Sequence, residues 1–158
     1  MQYWLLLHIA VKWLCDVKMN RKKLFYLSNV FFPLALGLSI YAFLYKNTFL
    51  NSFFPFTINI QSDFFVYIFI KSWLCDMLWS YALTFSLFIV LFSFRNRLLI
   101  SAIISSILGI ICEIFQLANV FSGTFDILDI FFEHIAIALA ICVIKRRVLN
   151  EKSFINNA

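Results

Sequence analysis

Between Cys112 and His134 the chain sets four carboxylates, Glu113, Asp126, Asp129 and Glu133, together with Gln116 and His134, into surroundings that otherwise read as lipid-soluble helix. Ionisable groups in such segments are costly and turn toward a bundle interior or a wet cavity, which makes them candidates for function. Oxygen donors of this kind can take a cationic or amine-bearing ligand through charge and hydrogen bonds. They also suit Mg, Mn or Ca, which prefer oxygen ligands; that alternative would use Glu113, Asp126, Asp129 and His134 in a metal-dependent membrane enzyme acting on a lipid-linked or phosphate substrate. No established catalytic motif or clear nucleophile accompanies them, so the reading leans away from an enzyme and implies no cofactor. Grouped in a partly dry site, so many carboxylates cannot all stay ionised: either some are protonated, because burial and like charges favour the neutral form, or a cation compensates them, from Lys71, a metal, a proton relay or a cationic ligand.

The elements that must position these groups follow from composition. Of 158 residues, 63% are hydrophobic and 13% charged, and the mean hydropathy is +0.92. A soluble domain is about 45–50% apolar and about 25% charged, so composition excludes that class. With 21 Phe against 3 Gly and 2 Pro there is no linker or low-complexity stretch, and one integral membrane domain is expected. The net charge of +5 sits in short clusters between apolar runs, a topology signal rather than a nucleic-acid face. Cysteines 15, 75, 112 and 142 have neither CxxC nor metal spacing and read as small apolar residues, with a Cys75–Cys112 pair as the alternative.

Four apolar runs are long enough to cross, given that a span takes about 20 residues: 24–45, with Pro33 and Gly37 inside it; 73–94, with Asp76 near its start; 98–118; and 125–144. The short break 119–124 suits antiparallel neighbours. Residues 46–72 contain Pro55 and the alternation Thr57-Ile58-Asn59-Ile60-Gln61, and are expected as an outer loop with an interfacial helix, because Phe64 to Ile70 is too short to cross. Residues 1–17 carry His8, Lys12 and Asp16 and are also too short; they read either as an interfacial helix or as sequence upstream of a natural start at Met19. The chain thus divides into an N-terminal extension, 1–23, a membrane domain, 24–147, and a cytoplasmic tail, 148–158.

Orientation comes from the basic flanks. Lys18, Arg21, Lys22 and Lys23, then Arg95 and Arg97, then Lys145, Arg146 and Arg147 all fall on one side of a four-span chain. The expected architecture is an all-α bundle of four transmembrane helices with both termini cytoplasmic. Asp76, Glu113, Gln116, Asp126 and Asp129 then lie together toward the outer surface. Helical spacing aligns Ala102, Ser106, Gly109, Glu113 and Gln116 on span three, and Asp126, Asp129, Glu133, Ala136 and Ala140 on span four. Asp76, Ser80 and Thr84 offer a third face. Small residues let backbones approach and polar ones avoid lipid, so these stripes should face one another.

Each residue also has an ordinary structural role to fill. Asp126 can start a helix, with Gly123-Thr124 as turn and cap. Glu113 and Gln116 can hold helices together by hydrogen bonds. His134 lies about 100° round from Glu133, off the shared face, and reads as a packing or hydrogen-bonding residue.

At these positions the chain resembles the VanZ-like family of small bacterial membrane proteins. That family's pattern is a span ending in Glu-x-x-Gln, a short outer turn with an Arg, then an Asp followed four later by Asn and seven later by Gly. Glu113, Gln116 and Asp129 match; Gly123, Glu133 and Ala136 stand at the Arg, Asn and Gly positions, and Asp76 matches an Asp that often opens a family helix. The missing Arg leaves the acidic cluster without the family's internal counter-charge. The resemblance covers about residues 24–147 and implies a multi-pass protein of the bacterial cytoplasmic membrane, in a family whose founding member lowers susceptibility to the glycopeptide teicoplanin. The expected partners are the bilayer and an envelope ligand or antibiotic, not nucleic acid, with the oligomeric state open.

Overall fold

The computed structural model describes residues 21–44, 65–120 and 125–156. Among them the elements are α1 (Arg21–Leu44), α2 (Phe65–Phe69), a π-helical segment (Ile70–Leu74), α3 (Cys75–Val90), α4 (Arg97–Leu117) and α5 (Ile127–Asn156). Four stretches are long and apolar enough to cross a bilayer, namely Lys23–Leu44, Val66–Val90, Arg97–Leu117 and Ile127–Leu149, so the chain is built as a multi-pass membrane protein. Residues 1–20 of the N-terminal extension, 46–64 of the expected loop and Gly123-Thr124 lie outside the described residues, while residues 21–23 are already the first turn of α1.

Two boundaries differ from expectation. Residues 65–72 are helical and continuous with span two rather than part of a loop. Phe69 (φ −57°, ψ −50°) and Cys75 (φ −61°, ψ −47°) keep right-handed helical angles on either side of the π-helical segment. An apolar run too short to cross alone becomes the first turns of a 25-residue span once Lys71 and Ser72 stay helical. At the other end, α5 runs on to Asn156 instead of giving way to a tail after Arg147. The sequence 148–156 contains no Gly or Pro to stop it.

α4 ends where the sequence break suggested, and the mechanism is visible. Asn119 adopts a left-handed φ of 55°. Its amide donates to the Gln116 carbonyl and the Val120 amide donates to the Phe115 carbonyl, both at 2.9 Å. This is a Schellman stop, which satisfies carbonyls that would otherwise be orphaned in lipid.

α3 is the central helix. It packs most extensively on α1 and α5, while α4 makes smaller contacts with both α3 and α5. The apolar core joins Val30 of α1, Phe85 and Phe88 of α3, and Ala140 and Ile144 of α5. Tyr26 tilts against Phe85 and Phe88 with ring centres 6.5 and 5.9 Å away. The Tyr81 hydroxyl donates to Asn29 Oδ1 at 2.7 Å, and Asn29 Nδ2 donates to the Phe25 carbonyl at 2.8 Å, so the polar atoms between α1 and α3 pair with each other. α4 is attached differently. Its buried residues are Ser101, Ser105, Gly109 and Glu113, spaced by four, and its outer face is isoleucine and leucine.

Candidate functional site

The site grows from three helix faces. On α3, Asp76, Ser80 and Thr84 recur every fourth residue and so share one face. Ser80 and Thr84 are buried, and the Thr84 hydroxyl shares hydrogen bonds with the Ser80 carbonyl at 2.8 Å and the Ser105 hydroxyl at 3.1 Å. This stitches α3 to α4 below the acidic residues. The expected α4 stripe is corrected here: Ser101 and Ser105 are buried, whereas Ala102 and Ser106 are half-exposed. A row at constant spacing of four runs obliquely along the helix, so that Ser105 meets Thr84 of α3 while Gly109 meets Glu133 of α5.

Above the stitch, Gly109 makes room for an acid. A Cβ on Gly109 would fall on Glu133 Oε2 and lie 3.0 Å from that residue's carboxyl carbon. The absence of a side chain therefore lets the α5 carboxylate nest against the α4 backbone. Ser80 of α3 lies near the same carboxylate, so Glu133 of α5 meets both α3 and α4. Ala136 and Ala140 continue that face of α5 as buried small residues, as their spacing predicted.

Glu113 is 4% exposed, and its Oε2 accepts from the Asp126 amide at 3.3 Å. The acid near the end of α4 thus satisfies an amide at the start of α5. Asp126 Oδ1 in turn accepts from the Leu128 amide at 2.9 Å, the geometry of a helix N-cap. Asp126 fills its structural role and does not line the cleft. Asp129 is half-buried and also stands off the cleft wall, yet it interacts electrostatically with Asp76, Glu113 and Asp126. Asp76 and Glu113 act on each other and on Glu133.

The result is a cleft of about 670 Å³ lined by Asp76, Ser80, Gly109, Cys112, Glu113, Gln116 and Glu133, with Trp79, Leu83, Leu108 and Val120 as its apolar part. Of its apolar lining, Trp79 is 59%, Leu108 41% and Val120 64% exposed. Among the described residues no Lys or Arg lines it. The side chain of Lys71, a candidate counter-charge, lies outside the described residues. The arrangement is three carboxylates, an amide and a hydroxyl facing a space with an aromatic lip, which fits a positively charged group carried on an apolar body.

Of the residues singled out from sequence, Asp76, Glu113, Gln116 and Glu133 converge on this cleft. His134 is exposed, and its Nδ1 pairs with the Ile130 carbonyl at 2.7 Å, one turn back on its own helix. Among the described residues no three His, Cys, Asp or Glu side chains are grouped to hold a metal, so Glu113, Asp126, Asp129 and His134 do not form a ligand set. Cys75 and Cys112 are free thiols, not a pair; Cys75 Sγ instead approaches the Gly37 carbonyl of α1 at 3.7 Å. Trp79 and Cys112 were missed as lining residues, although spacing marks both: Trp79 follows Asp76 by three, and Cys112 lies three after Gly109 and four before Gln116. No family model, curated protein or solved structure matches the chain.

Proposed function

We propose that this is a multi-pass protein of the bacterial cytoplasmic membrane, with both termini cytoplasmic, that binds a cationic or amine-bearing amphiphile in an acidic cleft on the outer side. The observation that carries the reading is the cleft itself, which brings Asp76, Glu113 and Glu133 together with, among the described residues, no Lys or Arg in its lining. Carboxylates grouped in low dielectric are unfavourable when ionised, and a bound cation relieves that cost. The exposed Trp79 and Leu108 in the lining offer an apolar surface to a ligand whose apolar part remains beside lipid. Such a ligand is a lipid headgroup or an amphipathic antibiotic, and the VanZ-like resemblance of Glu113, Gln116 and Asp129 favours a role in glycopeptide-type resistance. The orientation rests on the basic flanks of spans one, two, three and four.

The direct test is binding of dodecylamine and of dodecanol to the purified protein in a neutral detergent. Wild type should prefer the amine, and Glu133→Gln or Asp76→Asn should weaken amine binding about ten- to a hundredfold, the loss of one charge-assisted hydrogen bond of about 1.5–3 kcal/mol. Equal affinity for amine and alcohol would sink the proposal. For the resistance role, glycopeptide susceptibility is compared between wild type, Glu113→Gln and Asp129→Asn in a host that the intact protein protects; undiminished protection at equal expression rules it out.

A further inference from the structure

The opposite end of the bundle holds a second cavity, of about 650 Å³, where the α3–α4 turn meets the last apolar turns of α5. Arg95, Arg97 and Lys145 line it, and among the described residues no acidic side chain does. Its floor is rigid: Phe88 is buried, Ile144 is 0% exposed, and the Arg97 guanidinium sits 4.2 Å over the Phe88 ring, which fixes that charge in the wall. Its rim includes Leu99 and Leu149, which are 60% and 63% exposed.

We infer that this cavity is a binding site for the phosphate headgroup of an anionic phospholipid, with Arg95, Arg97 and Lys145 around the phosphate and the first acyl carbons against Leu99 and Leu149. Depth, charge and shape agree. Three candidate spans terminate around the cavity, at Val90, Arg97 and Leu149, which places it at headgroup level. Three cations facing one partly apolar space repel each other, and an anion between them relieves the repulsion. Basic pockets between membrane helices are a recurrent means of binding acidic lipid headgroups. A free phosphate would satisfy the charges but leave the leucine rim unused, so the site commits to lipid. The inference depends on the four apolar helices spanning a bilayer and is independent of the acidic cleft.

The test is a native mass-spectrometry titration of the purified full chain, in a neutral detergent, with dioleoylphosphatidylglycerol, dioleoylphosphatidylcholine and inorganic phosphate. Phosphatidylglycerol should bind at least tenfold tighter than phosphatidylcholine, and phosphate should not bind measurably. Arg95→Gln/Lys145→Gln removes two exposed cations without disturbing the core and should weaken phosphatidylglycerol binding about thirtyfold, about fivefold per charge. Arg146→Gln removes a neighbouring exposed charge that does not line the cavity and should change binding less than twofold. Arg97→Lys keeps the charge but loses the planar fork over Phe88, and should weaken binding by an intermediate factor. Equal binding of the two lipids, binding of phosphate alone, or an Arg146→Gln loss as large as that of the double variant would each overturn the site.

Discussion

The two sides of α3 are joined to their neighbours by opposite means. On one side, large rings and branched chains of α1, α3 and α5 interlock around Phe85. On the other, α4 approaches through the small residues Ser101, Ser105 and Gly109, with the Thr84–Ser105 hydrogen bond between the helices and the Glu133 carboxylate against Gly109. In lipid, apolar area drives little association, so helices are joined either by close packing or by polar pairing. The packed side is filled by side chains. The polar side leaves room beside its carboxylates, and that room is a cleft of about 670 Å³.

Substitutions at three positions would break or sharpen that contrast, and the largest effect is expected on the packed side. Phe85→Ala removes a fully buried ring and should destabilise the fold by about 2–3 kcal/mol; this is below the usual ~3–5 kcal/mol because lipid is as apolar as the ring and only the cavity term remains. Unfolding by sodium dodecyl sulfate in mixed micelles measures it, and dodecylamine binding should persist in the folded fraction. Gly109→Leu should come next, at about 1–3 kcal/mol, since a large side chain there forces α4 away from α5. The smaller Gly109→Ala need only push aside the flexible end of Glu133, so it should leave the unfolding midpoint nearly unchanged while weakening amine binding about tenfold. A stability loss without a binding loss would show that Glu133 does not contact ligand. Thr84→Ala is expected to be the mildest, at about 0.6 kcal/mol, a typical value for one interhelical hydrogen bond in a membrane. If it matched Phe85→Ala, the division between the packed and polar sides of α3 would fail.

Much of the site was legible because polar residues in apolar spans stand out and helical spacing assigns them to faces. Those grounds group Asp76, Glu113, Gln116, Asp126, Asp129 and Glu133 and set His134 aside; Asp126 and Asp129 do not line the cleft. The α4 stripe was read one residue off, as Ala102 and Ser106. Ser101-Ala102 and Ser105-Ser106 are adjacent pairs of small residues, so size and period do not separate them. The Thr84–Ser105 hydrogen bond does. The helical continuation through Lys71 was hidden because π-helical turns have no sequence signature as clear as a proline or a cap.

By itself the sequence determined the four apolar spans and the break after the third, where Asn119 stops the helix. Those follow from chain length, local dihedral preference and the cost of charge in lipid, which act within a single helix. Only the tertiary structure decided which acids share a space. Asp126 spends its carboxylate on its own helix start, Glu113 satisfies the next helix, and Glu133 reaches the cleft because Gly109 of a different helix has no side chain. Such choices depend on the distance and rotation between helices, which no period along one chain encodes.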